Sequence, residues 1–196
     1  LRTVTGVQTC ALPICAHDVM LFSDAGKAVR FDENDVRPMG RAARGVRGMM
    51  LEDGQQVISM LVAESEAQSV LTATENGYGK RTMIGEYTRH GRGTKGMIAI
   101  QTSERNGKVV AAVLVNESDE IMLITTGGVL VRTRVAEVRL MGRATQGVTL
   151  IAVDDGTTLS GVQRVVESDA AAEGAAEGAG EGAADEAAGD PGGSVS

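Results

Sequence analysis

GRAARGV at Gly40–Val46 returns as GRGTKGM at Gly91–Met97 and as GRATQGV at Gly142–Val148, each copy 51 residues after the one before. A second set of glycines, Gly26, Gly77 and Gly128, keeps the same spacing, and an arginine stands four residues beyond each, at Arg30, Arg81 and Arg132. Two independent registers agree on one period. A period of this length marks a repeat architecture, in which a unit cannot bury its apolar face without its neighbours.

Each repeat runs in the same order around its Gly-Arg loop. The first gives DVMLF, KAVRF, GVRGMML and QVISMLV; the second SVLTAT, GKRTMI, GMIAIQ and KVVAAVLV; the third EIMLIT, VLVRTRV, GVTLIAV and LSGVQRV. Short runs rich in Val, Ile and Thr and bounded by Gly, Asn and Asp are strand signals. Four of them per unit predict an all-β protein built of about three four-stranded, propeller-like blades. DAG, ENG and TGG place Gly26, Gly77 and Gly128 where a hairpin needs a positive φ. With two Phe, two Tyr and no Trp, the core is expected to be aliphatic, with methionine filling gaps.

The net charge of −7 belongs to the end of the chain. From His17 to Val166 there are 18 basic and 18 acidic residues, whereas residues 167–196 hold 8 acidic residues and no basic one. That tail, rich in Ala, Gly and Glu, has no apolar face and is expected to be disordered, either solubilising or competing for the basic loops. Residues 1–16, LRTVTGVQTCALPICA, hold both cysteines and none of the repeat's glycine pattern. Their apolar patches are too short for a signal peptide, and the segment reads as translated adapter sequence foreign to a longer protein. Cysteine-free repeats fit a cytoplasmic setting. No run approaches the roughly 20 apolar residues of a membrane span.

The Gly-Arg loop carries the chemistry. Its glycines let the backbone turn tightly, successive N–H groups in such a turn can form an anion-binding concavity, and the arginines add charge beside it. A lone basic glycine loop is a weak motif, but three in register predict a stripe of charge on one rim, the footprint of a polyanion. The residues expected to meet it are Arg41, Arg44, Arg47, Arg92, Lys95 and Arg143, with Arg30, Lys80, Arg81, Arg132 and Arg134 as secondary candidates. Asp35, Glu86 and Glu137, aligned before the loops, read as contacts within each blade, and Tyr87 reads as a packing residue because its aligned partners are valines. His17 and His90 stand apart from any cluster with metal-ligand spacing, and no nucleotide or nucleophile motif is present.

ENGYGKRT at Glu75–Thr82, TRHGRGTKG at Thr88–Gly96, GVLVRTRV at Gly128–Val135 and GRATQGV with the later GVQRV resemble the last three repeats of the carboxy-terminal domain of bacterial DNA gyrase A. The resemblance runs from about Asp18 to Val166. It implies a six-bladed β-pinwheel whose neighbouring blades exchange strands, and residues 17–166 would be three blades of it. It further implies that double-stranded DNA wraps the basic rim in a positive sense, within an A2B2 heterotetramer with gyrase B that introduces negative supercoils. ATP and Mg2+ would serve gyrase B, with no cofactor bound by this fragment. The family's catalytic tyrosine lies upstream, so neither Tyr78 nor Tyr87 corresponds to it and this fragment alone would not be catalytic. The family's first-blade basic glycine box is absent, GRGTKG being a degenerate counterpart. That leaves two alternatives: the carboxy-terminal domain of the equivalent topoisomerase IV protein, and a propeller serving as a protein-interaction module.

Overall fold

The computed structural model describes residues 17–154 and 156–165, so the amino-terminal segment 1–16 and the acidic tail lie outside the described residues. The strands, in chain order, are β1 (Asp18–Ser23), β2 (Lys27–Asp32), β3 (Val57–Ala63), β4 (Ser69–Thr74), β5 (Tyr78–Met83), β6 (Met97–Ile98), β7 (Val109–Val115), β8 (Glu120–Thr125), β9 (Leu130–Arg134), β10 (Val148–Thr149) and β11 (Leu159–Val165). They form three antiparallel sheets, ordered β3-β1-β2-β6, β7-β4-β5-β10 and β11-β8-β9. The hairpins turn as expected: Gly26, Gly77 and Gly128 have φ of 77°, 78° and 81°.

Three strands of each sheet come from one repeat, and in the first two sheets the fourth is lent by the next. β6 lies on β2, pairing Met97 with Ala28, and β10 lies on β5, pairing Val148 with Gly79. The hairpin glycines receive the lent segment, since the Gly26 carbonyl accepts from Ala99 N–H at 2.8 Å and the Gly77 carbonyl accepts from Leu150 N–H at 2.8 Å. Gly96 and Gly147 make the approach possible. Both have positive φ, and a Cβ there would stand 2.5 Å from the Ala28 carbonyl oxygen and 2.7 Å from that of Gly79.

This corrects the reading of the third stretch in every repeat. GMIAIQ and GVTLIAV supply only two strand residues each, to the preceding blade, and GVRGMML forms no strand, its Met49 making a single bridge to Thr94. Gly45 also has positive φ, but nothing lies within 4 Å of the Cβ it would carry, because no receiving blade stands there among the described residues. For the matching reason the third sheet has three described strands rather than four, and Val129 and Leu130 are exposed beside its β9 edge.

The core lies between blades. Met20, Phe22, Ala63, Val70, Ile84 and Tyr87 pack in the first seam, and Leu71, Val115, Ile121, Leu123, Val135 and Leu159 in the second. Tyr87 is fully buried, edge-on to Phe22 with ring centroids 6.0 Å apart, which bears out its reading as a packing residue. Every residue of β4 is buried, threonines included, because the middle blade is covered on both faces. That explains the imperfect alternation in its sequence. Asp35, Glu86 and Glu137 each close a short 3-10 turn after the hairpin.

Candidate nucleic-acid interface

The Gly-Arg loops lie against one another from blade to blade. Met50 N–H donates to the Thr94 carbonyl at 2.8 Å and Gly93 N–H to that of Gly48 at 2.6 Å, joining the first loop to the second. One repeat on, Gln101 N–H donates to the Thr145 carbonyl at 3.0 Å. The loop arginines repeat the pattern: Arg92 Nε donates to the Asp35 carbonyl at 3.0 Å and its Nη1 reaches the Arg47 carbonyl at 3.5 Å, while Arg143 Nη1 reaches the Ile98 carbonyl at 3.4 Å. Arg47 and Ile98 are equivalent positions. The three loops thus form one ladder.

Along it, Arg41, Arg44, Arg47 and Lys95 are exposed and make no ion pair among the described residues. Among the described residues, Arg92 and Arg143 hold carbonyl oxygens and no carboxylate. Arg37 and Arg139 also stand exposed just before the first and third loops, without an acidic partner among the described residues. They were missed in the sequence, although they occupy the same register two repeats apart. Cations spaced along adjacent loops reinforce one another over about 10 Å at 0.1 M salt.

Five secondary candidates are placed differently. Arg30, Lys80 and Arg81 are 6%, 0% and 8% exposed, so they cannot reach a surface ligand as the sequence reading expected. Arg30 Nε and Nη2 lie 2.6 and 2.5 Å from Asp18 Oδ2, its Nη1 donates to the Ile84 and Tyr87 carbonyls at 3.0 Å, and Nη2 also meets Glu66. Burial pulls its pKa down, but Glu66 and Asp18 outweigh that and leave it raised. Arg81, one blade on, keeps only the matching ion pair, to Glu117 at 3.5 Å, while its backbone pairs with Arg139 and Met141. These arginines clasp neighbouring blades. Lys80 Nζ donates to the carbonyls of Gly142, at 2.6 Å, and Arg143, and to Thr145 Oγ1 at 3.1 Å. Burial first, and then the charge of Arg143, lowers its pKa to about 8 against the opposing effect of Glu86. Arg132 and Arg134 are exposed but paired with Glu120 and Glu137. Among the described residues no group of three His, Cys, Asp or Glu side chains could hold a metal ion.

The model of the family described as the DNA gyrase C-terminal domain, beta-propeller, matches residues 17–64, 68–116 and 119–165, one segment per blade. The chain belongs to this family. DNA gyrase A of Pseudomonas aeruginosa is 60% identical over 152 residues, which is 78% of this chain and 16% of that relative. The chain therefore spans about a sixth of the gyrase protein it matches. A solved structure of the DNA gyrase A C-terminal domain superposes with a TM-score of 0.71 at 30% identity, over 77% of this chain and 51% of the other. The C-terminal domain of DNA topoisomerase IV superposes with a TM-score of 0.74 over 83% of this chain and 53% of the other, but at 24% identity, a likeness of fold alone. Sequence likeness thus favours gyrase over the topoisomerase IV alternative.

Proposed function

We propose that this chain is a carboxy-terminal part of gyrase A that binds and wraps duplex DNA for a type II topoisomerase. The observation that carries the proposal is the ladder of loops, which aligns Arg41, Arg44, Arg47, Arg92, Lys95 and Arg143, together with Arg37 and Arg139, with no carboxylate among the described residues paired to them. The duplex lies along the loops and is held at its phosphates, so recognition is largely independent of base sequence. Bending costs roughly 1–6 kcal/mol for 40–90° over a few tens of base pairs, so the cations must act together. The wrap is positive and feeds the adjoining segment to the cleavage gate of an A2B2 assembly in the cytoplasm. Gyrase B hydrolyses ATP with Mg2+, the cleavage tyrosine lies elsewhere in gyrase A, and strand passage introduces negative supercoils.

The test is topological footprinting: the chain is bound to plasmid, the plasmid is relaxed, and the trapped writhe is counted. Positive writhe that disappears at high salt is expected. Salt-sensitive binding without trapped writhe would reduce the chain to a DNA-binding module, and no binding would favour a protein-interaction role.

A further inference from the structure

Lys80 is a buried cation that the wrapping reading leaves unused. It stands where the other blades have Val29 and Val131. Its side chain is fully enclosed, and its three N–H groups are matched by three acceptors in the third Gly-Arg loop: the carbonyls of Gly142 and Arg143 and the hydroxyl of Thr145. The Thr145 hydroxyl in turn donates to the Gly142 carbonyl at 2.9 Å, closing the arrangement. In a planar trans peptide the carbonyl and the following N–H point in opposite directions. With the Gly142 and Arg143 carbonyls drawn inward, the N–H groups of Arg143 and Ala144 face away from Lys80, and neither has an acceptor among the described residues.

We propose that Lys80 is a positioning residue for DNA binding: its ammonium turns the third Gly-Arg loop so that the Arg143 and Ala144 N–H groups and the Arg143 guanidinium form a phosphate cradle specific to this blade. The proposal rests on the DNA-wrapping reading. A phosphate seated there faces two amide donors and a guanidinium, with the Lys80 charge one layer beneath. The charged groups facing Lys80 are Arg143 from the loop and Glu86 from the turn after β5. Burial brings its pKa to about 8, so the charge that sets the loop is removable at accessible pH.

The test measures affinity of the full 196-residue chain for a short labelled duplex at 0.1 M salt, from pH 7 to 9.5, for wild type, Lys80→Met and the triple variant Arg41→Ala, Arg44→Ala, Arg47→Ala. One lost cation corresponds to about an eightfold weaker affinity at 0.1 M salt. Lys80→Met is expected to show that loss at pH 7, with a flat pH profile and faster amide exchange in residues 142–145. Wild type is expected to lose a similar factor between pH 7 and 9.5. Equal affinity and equal pH profiles for wild type and Lys80→Met would overturn the proposal while a weakened triple variant upheld DNA binding. Absence of salt-dependent binding by wild type would overturn the underlying reading. Should Lys80→Met not fold, Lys80→Gln takes its place at pH 7, and an affinity equal to that of wild type refutes a role for the ammonium.

Discussion

Removing the first loop's charges, by Arg41→Ala, Arg44→Ala and Arg47→Ala together, is expected to separate the proposed DNA binding from folding. All three side chains are exposed and make no ion pair among the described residues, and a Cβ on neighbouring Gly45 would meet nothing within 4 Å. Stability should therefore change by no more than about 0.5 kcal/mol per site. The effect on DNA is expected to be large. If the eight loop cations Arg37, Arg41, Arg44, Arg47, Arg92, Lys95, Arg139 and Arg143 each neutralise one phosphate, log affinity falls with log salt at a slope of about −7. Between 50 and 200 mM salt, affinity drops roughly 2 × 10⁴-fold. The triple variant keeps five of these cations, so its slope becomes about −4.5 and the same step costs only about 500-fold. Fluorescence anisotropy with a labelled duplex over a salt series reads both slopes, and calorimetry checks the fold. A slope that stays near the wild-type value in a stable variant would show that DNA does not lie along the first loop.

Gly77→Ala forces a side chain into positive φ and places its Cβ 2.3 Å from the Ile151 carbonyl oxygen, whereas Gly128→Ala has the same φ problem with nothing nearby. The second should lower stability by about 1–2 kcal/mol and the first by clearly more; equal melting temperatures would contradict the lent-strand contact. Arg30→Met leaves buried Asp18 with Arg89, at 2.7 Å, as its one ion-pair partner among the described residues, and should destabilise by about 3 kcal/mol without altering the salt slope of DNA binding. Because Lys80 has a pKa of about 8 in the fold against 10.5 ordinarily, the unfolded chain binds more protons between those values. Stability should consequently rise from pH 8 to 10.5, by about 3 kcal/mol in total, and chemical denaturation of wild type against Lys80→Met reads that increment. Deleting residues 167–196, with their 8 acidic groups, is expected to strengthen DNA binding at low salt, and unchanged affinity would rule out competition by the tail.

The repeat, its hairpins and the exposed Gly-Arg loops were legible because they depend on local chemistry: glycine where φ is positive, short β-rich runs, polar loops. Tyr87 was legible for a similar reason, since its register partners Val36 and Val138 are apolar. The fates of Arg30, Lys80 and Arg81 were not. A basic residue in a strand reads as solvent-facing, yet these strands are covered by the next blade, and the acceptors that hold the side chains come from 54 to 63 residues away for Arg30 with Ile84 and for Lys80 with Arg143. Placement within KAVRF and GKRTM, rather than within a loop, was the available signal. The third stretch of each repeat misled in the opposite way: GMIAIQ looks like a full strand, but only Met97 and Ile98 pair, and they pair with another unit's edge. No pattern inside one repeat reveals that its apolar residues complete a neighbour.

That handover runs in a single direction. β6 finishes the sheet begun by β1 and β2, and β10 finishes the one begun by β4 and β5. During synthesis each blade must therefore wait, incomplete, until the ribosome has extruded the following Gly-Arg loop, after which the loop docks and the edge is sealed. Assembly would advance like a ratchet from the amino-terminal side, and an insertion that displaced one loop would open the unit upstream of it.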